Sequence, residues 1–115
     1  MINNLDDLIG SLDVMDAINE LENMENLSYG DEVLLGELKD LAYECDGLAD
    51  WKYGETLIRA SYWADYAQEM LEDCGDIPKD LPWYISIDWE KTADNLLVDY
   101  TEVSFGGIPY YIRNV

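Results

Sequence analysis

The 115-residue chain carries 26 aspartates and glutamates against 6 lysines and arginines and has no histidine, so its formal net charge is -20. A hydrophobic fraction of 49% and an aromatic fraction of 12% exclude a disordered acidic tail, because disordered chains are poor in both. The charge disfavours direct binding to nucleic acid or to anionic lipid, and no apolar run approaches the ~20 residues of a membrane span.

The first part of the chain predicts two acidic helices. Ser11 can cap the first helix, and Ser28 precedes the second, where Asp31 is favourable near the N-terminus. Gly47 supplies the stop. The apolar side chains at helical spacing are Val14, Met15, Ile18, Leu21 and Met24 in the first helix and Leu34, Leu38, Leu41 and Cys45 in the second.

Residues 48–75 predict an irregular segment followed by a third helix. The stretch 48–60 is a loop with a short extended piece at 56–58. Ser61 offers a cap to a helix that runs to about Cys74, and Gly75 ends it. The inward residues of this helix are Trp63, Ala64, Ala67 and Leu71.

The remainder predicts a short strand, a fourth helix and a hairpin. Alternation at 83–87 indicates a strand, and Asp88 caps a helix that reaches about Leu97. Residues 100–105 and 108–112 alternate on either side of Gly106 and Gly107, which is the pattern of a two-residue hairpin turn. Pro109 belongs at a sheet edge or where no backbone donor is needed.

These elements predict an α+β fold. N-terminal acidic helices (1–47) are followed by a helix-rich lobe with a small antiparallel sheet and a C-terminal β-hairpin (48–115). We expect the two regions to form one compact unit, with a radius of gyration of roughly 13 Å and a diameter of roughly 35 Å.

The residues offer little for catalysis. The absence of histidine removes the commonest group for proton transfer near neutral pH, and no nucleophile, phosphate-loop or calcium-loop motif occurs. Cys45 and Cys74 are 29 residues apart and predict two buried thiols rather than a metal or redox pair. We expect a protein that is not an enzyme and needs no cofactor or metal.

The acidic residues recur at spacings that place them along helix faces. Neighbours at i, i+3 and i+4 lie about 5 to 6 Å apart, so such lines can approximate the phosphate track of a DNA strand. A duplex about 35 Å long carries about 20 phosphate charges at one per ~1.7 Å, which equals the net charge of this chain. The candidate phosphate surrogates are Glu37, Asp40, Glu44, Asp65, Glu69, Glu72, Asp73 and Asp76.

The exposure of the four tryptophans would show whether they belong to the core or act as anchors for a partner. If Trp51, Trp63, Trp83 and Trp89 are core residues, as we expect for most of them, the surface is acidic throughout. If they are exposed, the chain could be an acidic adaptor that binds partners through aromatic anchors.

Several runs after residue 50 resemble the C-terminal part of the ArdA-type antirestriction proteins of phages and mobile elements. The region that contains them covers somewhat more than half of the chain, and the runs are DW (50–51), YGETLIR (53–59), YAQEMLEDCG (66–75), WYISIDWE (83–90) and DYTEVSFGGIPYYIR (99–113). Members of that family are usually longer and carry an additional N-terminal α/β domain, for which residues 1–47 offer only helices.

The resemblance implies a function and an assembly. Proteins of that family mimic bent duplex DNA, occupy the DNA-binding groove of type I restriction-modification enzymes and pair through their C-terminal region. It therefore implies that the acidic helices here form the mimic surface and that the hairpin is a homodimer contact. The contact residues would be Phe105, Ile108, Tyr110 and Ile112.

Charge and resemblance together predict a DNA-mimic inhibitor of a host defence enzyme, most directly a type I restriction-modification system. The alternatives are a mimic that inhibits a CRISPR complex or another DNA-binding protein, and the acidic adaptor. In each case the partner is a protein rather than nucleic acid or membrane. The chain has no signal-type N-terminus, so we expect a cytoplasmic location in the host cell.

Overall fold

A computed structural model describes residues 2–48, 50–78 and 80–114, and within them the chain has the predicted α+β fold. Its four strands form one antiparallel sheet in the order β1-β2-β4-β3. The helices are α1 (Ser11–Glu22), α2 (Tyr29–Cys45), α3 (Trp63–Asp73) and α4 (Trp89–Leu96). The strands are β1 (Leu8–Gly10), β2 (Thr56–Arg59), β3 (Tyr100–Phe105) and β4 (Ile108–Arg113).

The sheet lies between two pairs of helices. Successive residues of a strand point to opposite faces, and Leu57 and Ile58 of β2 accordingly belong to two separate apolar clusters. Leu57 packs with side chains of α1 and α2, whereas Ile58 packs with Trp63 of α3 and Ala93 of α4. The acidic helices α2 and α3 are thereby positioned on opposite faces of the sheet.

The apolar stripes of α1 and α2 are confirmed with one exception. Val14, Leu21, Leu38, Leu41 and Cys45 are fully buried. Met24 was predicted to continue the first stripe, but it is 45% exposed because α1 ends at Glu22. The predicted stripes thus place α1 and α2 correctly against the sheet.

Ser11 and Ser61 were predicted as helix caps and neither is one, whereas Ser28, predicted only to precede the second helix, is a cap. Ser28 caps α2, accepting a hydrogen bond from the Asp31 backbone N–H at 3.1 Å. Ser11 does not cap α1: it is buried, and its Oγ accepts from the Glu55 backbone N–H at 2.7 Å, which fastens the start of α1 to the start of β2. Ser61 lies in a 3-10 turn before α3 and makes no cap.

Strand β1 was not predicted. Its three residues are too few to display an alternating pattern, and their pairing with β2, such as Leu8 opposite Ile58, supplies the order. The preceding segment is held by long-range hydrogen bonds: the Tyr110 hydroxyl donates to the Asp6 carbonyl at 2.6 Å, and the Arg59 guanidinium donates to the Leu5 carbonyl at 2.6 Å. The N-terminal segment thus belongs to the sheet.

The strand predicted at 83–87 is absent, while the cap that follows it is confirmed. Residues 82–85 form a turn, in which the Ile85 backbone N–H donates to the Pro82 carbonyl at 2.9 Å. None of the strands in the described residues pairs with this segment. Asp88 caps α4, accepting from the Lys91 backbone N–H at 3.1 Å.

The C-terminal hairpin is confirmed. Gly106 and Gly107 have φ of +58° and +83°, as the two central residues of a type I′ turn require. Pro109 lies in β4, an interior strand, so the edge alternative is wrong. It sits opposite Ser104 and one residue before Tyr110, where pairing with β2 begins, so its missing N–H leaves no ladder bond unmade.

The molecule is more elongated than expected. Its radius of gyration is 16.8 Å and its principal extents are 60 × 26 × 20 Å, against the ~13 Å radius of a rounder domain of this length. A net charge of -20 over 60 Å is about one charge per 3 Å, which approaches the spacing of one DNA strand (~3.4 Å) rather than that of the duplex (~1.7 Å). The predicted equality with duplex DNA is therefore wrong.

In the described part of the chain, no helix is long and apolar enough to cross a membrane.

Candidate partner-binding surface

The acidic side chains remain on the surface of the folded molecule. None of the 26 is buried, and only Asp31, Glu37, Glu55 and Glu72 are partly covered. Two ion pairs occur among the described residues: Lys39 Nζ lies 3.0 Å from Glu22 Oε2, and the Arg59 guanidinium contacts the Asp7 carboxylate. The surface is therefore almost uniformly negative.

The first predicted line of carboxylates lies on α2. Asp40 and Glu44 are exposed, whereas Glu37 is half-buried against the hairpin turn. Its carboxylate lies so close to the turn that a methyl group added to Gly106 would be 2.6 Å from Glu37 Oε2. Glu37 therefore packs near the hairpin turn, and only Asp40 and Glu44 of this line are exposed to a partner.

The second predicted line lies on α3 and just beyond it. Asp65, Glu69 and Asp73 are exposed at i, i+4 and i+8, Glu72 is partly covered, and Asp76 follows the end of the helix. At 1.5 Å per residue, the row from 65 to 73 extends about 12 Å along the axis. This line is the longer of the two.

The structure does not bring the two lines together into one patch. The buried face of α2 joins the apolar cluster on one side of the sheet, and that of α3 joins the cluster on the other. The eight predicted surrogates therefore form two separate acidic faces, which the sequence could not reveal because it does not specify on which side of the sheet each helix packs.

The carboxylates of α3 influence the ionisation of the nearby Tyr62 hydroxyl. The carboxylate of Glu69, with desolvation and the carboxylates of Asp7 and Asp65, raises the pKa of the Tyr62 hydroxyl above its ordinary value, because each nearby negative charge disfavours the phenolate. Asp7 comes from the N-terminal segment, where its carboxylate also contacts the Arg59 guanidinium.

A third acidic feature, which sequence reasoning missed, is a groove of about 430 Å³ beside α1. Asp13, Asp16 and Glu20 on its rim have the same i, i+3, i+7 spacing as the α2 line, so the signal was present in the sequence. Asp6 reaches the groove from the N-terminal segment. The complete lining is Ile2, Asp6, Leu8, Ile9, Asp13, Asp16, Ala17 and Glu20.

The residues expected at a homodimer contact require a correction. Phe105, Tyr110 and Ile112 are 0% exposed in the single chain because they fill the cluster under α1 and α2. These three side chains have no surface left for a partner. Ile108 is half-buried, and pairing of the hairpin with a second copy stays a prediction that other atoms would have to satisfy.

The aromatic and thiol side chains also differ in part from expectation. Trp51 and Trp63 are each 3% exposed and Trp89 is half-buried, but Trp83 is 94% exposed and is not a core residue. Cys45 is buried as predicted, whereas Cys74 is exposed because it lies just beyond the end of α3. The acidic surface thus carries an exposed aromatic side chain.

Among the described residues, no group of three or more His, Cys, Asp or Glu side chains is arranged to hold a metal ion. Comparisons with models of protein families, with curated proteins and with solved structures found no match.

Proposed function

We propose that this protein is a non-enzymatic DNA mimic that occupies the DNA-binding groove of a host defence enzyme, most directly a type I restriction-modification enzyme. The observation that carries the proposal is an elongated body, 60 Å long, whose 26 carboxylates are all at least partly exposed. Its net charge per unit length approaches that of a DNA strand.

The placement of the charges supports a use beyond solubility. A net charge of magnitude about 2 to 8 normally keeps a small domain soluble. Here no described helix has a basic residue in its last turn, and carboxylates such as Glu44 and Glu72 occupy that position. Carboxylates there oppose the helix dipole, an interaction of about 0.3 to 1 kcal/mol per charge. The arrangement therefore costs stability, which a purely solvating surface would not require.

The mechanism is displacement of DNA by electrostatic competition. Basic side chains that contact phosphates would instead contact the exposed carboxylates of α2 and α3. Because these helices lie on opposite faces of the sheet, a target that engages both must enclose the protein, while an open basic face would engage one. The acidic groove beside α1 offers additional carboxylates to an enclosing target.

The setting of this activity is the cytoplasm of the host cell, where the target enzyme meets DNA. Repulsion from phosphates and anionic lipids leaves a basic protein as the favoured partner. A homodimer, as the resemblance implies, would double the length of acidic surface offered to the target.

A competition experiment tests the proposal. Neutralising the α3 line together (Asp65→Asn, Glu69→Gln, Glu72→Gln, Asp73→Asn) should weaken displacement of DNA from a type I methyltransferase core. The matched control removes the same number of charges elsewhere (Glu25→Gln, Asp46→Asn, Asp50→Asn, Asp99→Asn). If the α3 variant folds and displaces DNA as well as both the parent and the control, this line is not the mimic surface.

Two alternatives share part of this argument. Any protein with a basic DNA channel, including a CRISPR complex, would attract the same surface. The acidic adaptor is favoured by one observation, the 94% exposure of Trp83. An adaptor would bind its partner without releasing DNA from it, so the competition experiment separates the two functions.

A further inference from the structure

The turn at 82–85 presents an aromatic pair to solvent. The hydrogen bond from the Ile85 backbone N–H to the Pro82 carbonyl, 2.9 Å long, makes Trp83 and Tyr84 the two central residues of the turn. Their ring centroids are 5.7 Å apart and their planes meet at 88°. Trp83 is 94% exposed and Tyr84 70% exposed. The turn therefore holds two largely exposed rings outward, in an edge-to-face arrangement.

This exposure contrasts with the other aromatic clusters of the fold. Trp63 is buried, donates its indole N–H to the Ala93 carbonyl at 2.8 Å and packs on three tyrosines. Tryptophan is highly buried on average in folded proteins and dominates the energetics of interfaces. A fully presented Trp83 beside a presented Tyr84 is therefore the arrangement of an interface anchor rather than of a core.

The charge of the sequence around the turn indicates what kind of group would bind to the two rings. The sequence from residue 76 to residue 90 carries one lysine, Lys79, and is net negative because it also carries four carboxylates, at Asp76, Asp80, Asp88 and Glu90. All four are exposed. Such a setting repels anions and attracts cations, and the face of an indole ring is the best aromatic partner for a cation. Arginine is favoured over lysine because its planar, weakly hydrated guanidinium stacks on aromatic rings.

We propose that Trp83, supported by Tyr84, is an anchor on which an arginine side chain of the partner protein stacks. The inference rests on the proposed function, because a groove that binds DNA is lined with the arginines that this anchor would engage. The Trp83 anchor adds a contact that a phosphate group does not offer. The carboxylates attract the basic groove through charge, and the indole ring binds one guanidinium through a short-range interaction.

A peptide titration tests the anchor without any assumption about the target. Binding of a hexa-arginine peptide is measured by calorimetry for the parent protein, Trp83→Phe, Trp83→Leu and Tyr43→Leu. Tyr43 is 86% exposed on α2 and serves as the control for loss of an exposed ring outside the turn. Circular dichroism verifies that each variant is folded.

We expect Trp83→Leu to weaken peptide binding roughly 2- to 5-fold, as for an exposed cation–π contact, with Trp83→Phe intermediate and Tyr43→Leu close to the parent. Leucine keeps an apolar side chain but has no π face, so this order isolates the ring. Equal binding by the parent and Trp83→Leu would overturn the proposal, as would an equal loss in Tyr43→Leu.

The same variants in competition with DNA for a type I methyltransferase core separate failure of the anchor from failure of the proposed function. If the parent displaces DNA and Trp83→Leu does so equally well, the function stands and the anchor does not act in it. If the parent fails to displace DNA but Trp83→Leu weakens peptide binding, the function is wrong and the anchor serves another basic partner.

Discussion

Single residues show how the acidic surface and the fold constrain each other. Glu37 was predicted as a phosphate surrogate, but it leans on the hairpin turn at Gly106 and is partly covered. Asp40 and Glu44, on the same helix, are free of that contact and exposed. Carboxylates with identical spacing therefore differ in availability, and the difference depends on what packs against them.

Gly106 should resist substitution by alanine. Its φ of +58° lies in the left-handed region, where a Cβ costs about 1 to 2 kcal/mol, and the added methyl group would also meet Glu37. We expect Gly106→Ala to lower the free energy of unfolding by about that amount in a urea titration.

Gly36 provides the matched control for this substitution. It is exposed within α2, and a Cβ there would meet nothing within 4 Å. Gly36→Ala should therefore raise the free energy of unfolding by about 0.5 to 1 kcal/mol. Equal effects of the two substitutions would contradict the conformational argument.

The two cysteines should react very differently with a thiol reagent. Burial, reinforced by the Glu44 carboxylate, raises the pKa of the Cys45 thiol to about 12, so the reactive thiolate is scarce near neutral pH. Cys74 is exposed. We expect mass spectrometry of the labelled native protein to place the label on Cys74 alone, and both thiols to react in denaturant. Rapid labelling of native Cys45 would show that α2 is not packed as described.

Burial was the property least predictable at this scale. Trp83 and Trp63 are the same residue type in an acidic chain, yet one is 94% and the other 3% exposed. Ser11 and Ser28 both precede apolar helical patterns, yet Ser11 is buried against β2 and only Ser28 caps. Tertiary contacts decide these outcomes, and a local pattern contains no information about them.

At the scale of elements, long periodic patterns were predicted well and short ones were not. The helices and the Gly-Gly hairpin were recoverable because periodicity and turn chemistry agree. Strand β1 has only three residues and forms by pairing with β2, so its local sequence contains no pattern that predicts a strand. The segment 83–87 alternates, but none of the described strands pairs with it, so the prediction from alternation alone was wrong.

The contrast between Ser28, which caps α2, and Ser61, which caps no helix, yields a prediction about stability. Ser28→Ala removes the side-chain half of a capping box and should lower the free energy of unfolding by about 1 kcal/mol. Ser61→Ala is the control, since Ser61 is exposed and caps no helix. Thermal denaturation of the pair should show a lower midpoint for Ser28→Ala only. A comparable loss in Ser61→Ala would mean that α3 begins earlier than described.

At the scale of the molecule, shape and charge must be considered together. The chain is 60 Å long and only 26 by 20 Å in cross-section, so its charges are spread along an axis. The sequence gives the charge, but it did not predict the elongated shape. The shape depends on how the helices pack on the two faces of the sheet, and tertiary contacts determine that packing. The sequence identified acidic helix faces, but it did not show that α2 and α3 present them on opposite sides of the sheet.

Salt should stabilise this protein. Self-repulsion among exposed carboxylates destabilises a compact state, and between about 0.01 M and 1 M salt the Debye length falls from ~30 Å to ~3 Å. We therefore expect the thermal midpoint to rise with sodium chloride, with a smaller rise in the variant in which the α3 line is neutralised. A midpoint that is unchanged or falls would indicate that repulsion does not limit stability.

The most direct test of DNA mimicry is the salt dependence of competitive binding. The affinity of the protein for a type I methyltransferase core is measured in the presence and absence of the enzyme's DNA, across a series of salt concentrations. Mimicry predicts mutually exclusive binding whose logarithmic affinity falls linearly with the logarithm of salt, as it does for DNA. Binding that tolerates bound DNA, or an affinity indifferent to salt, would contradict it.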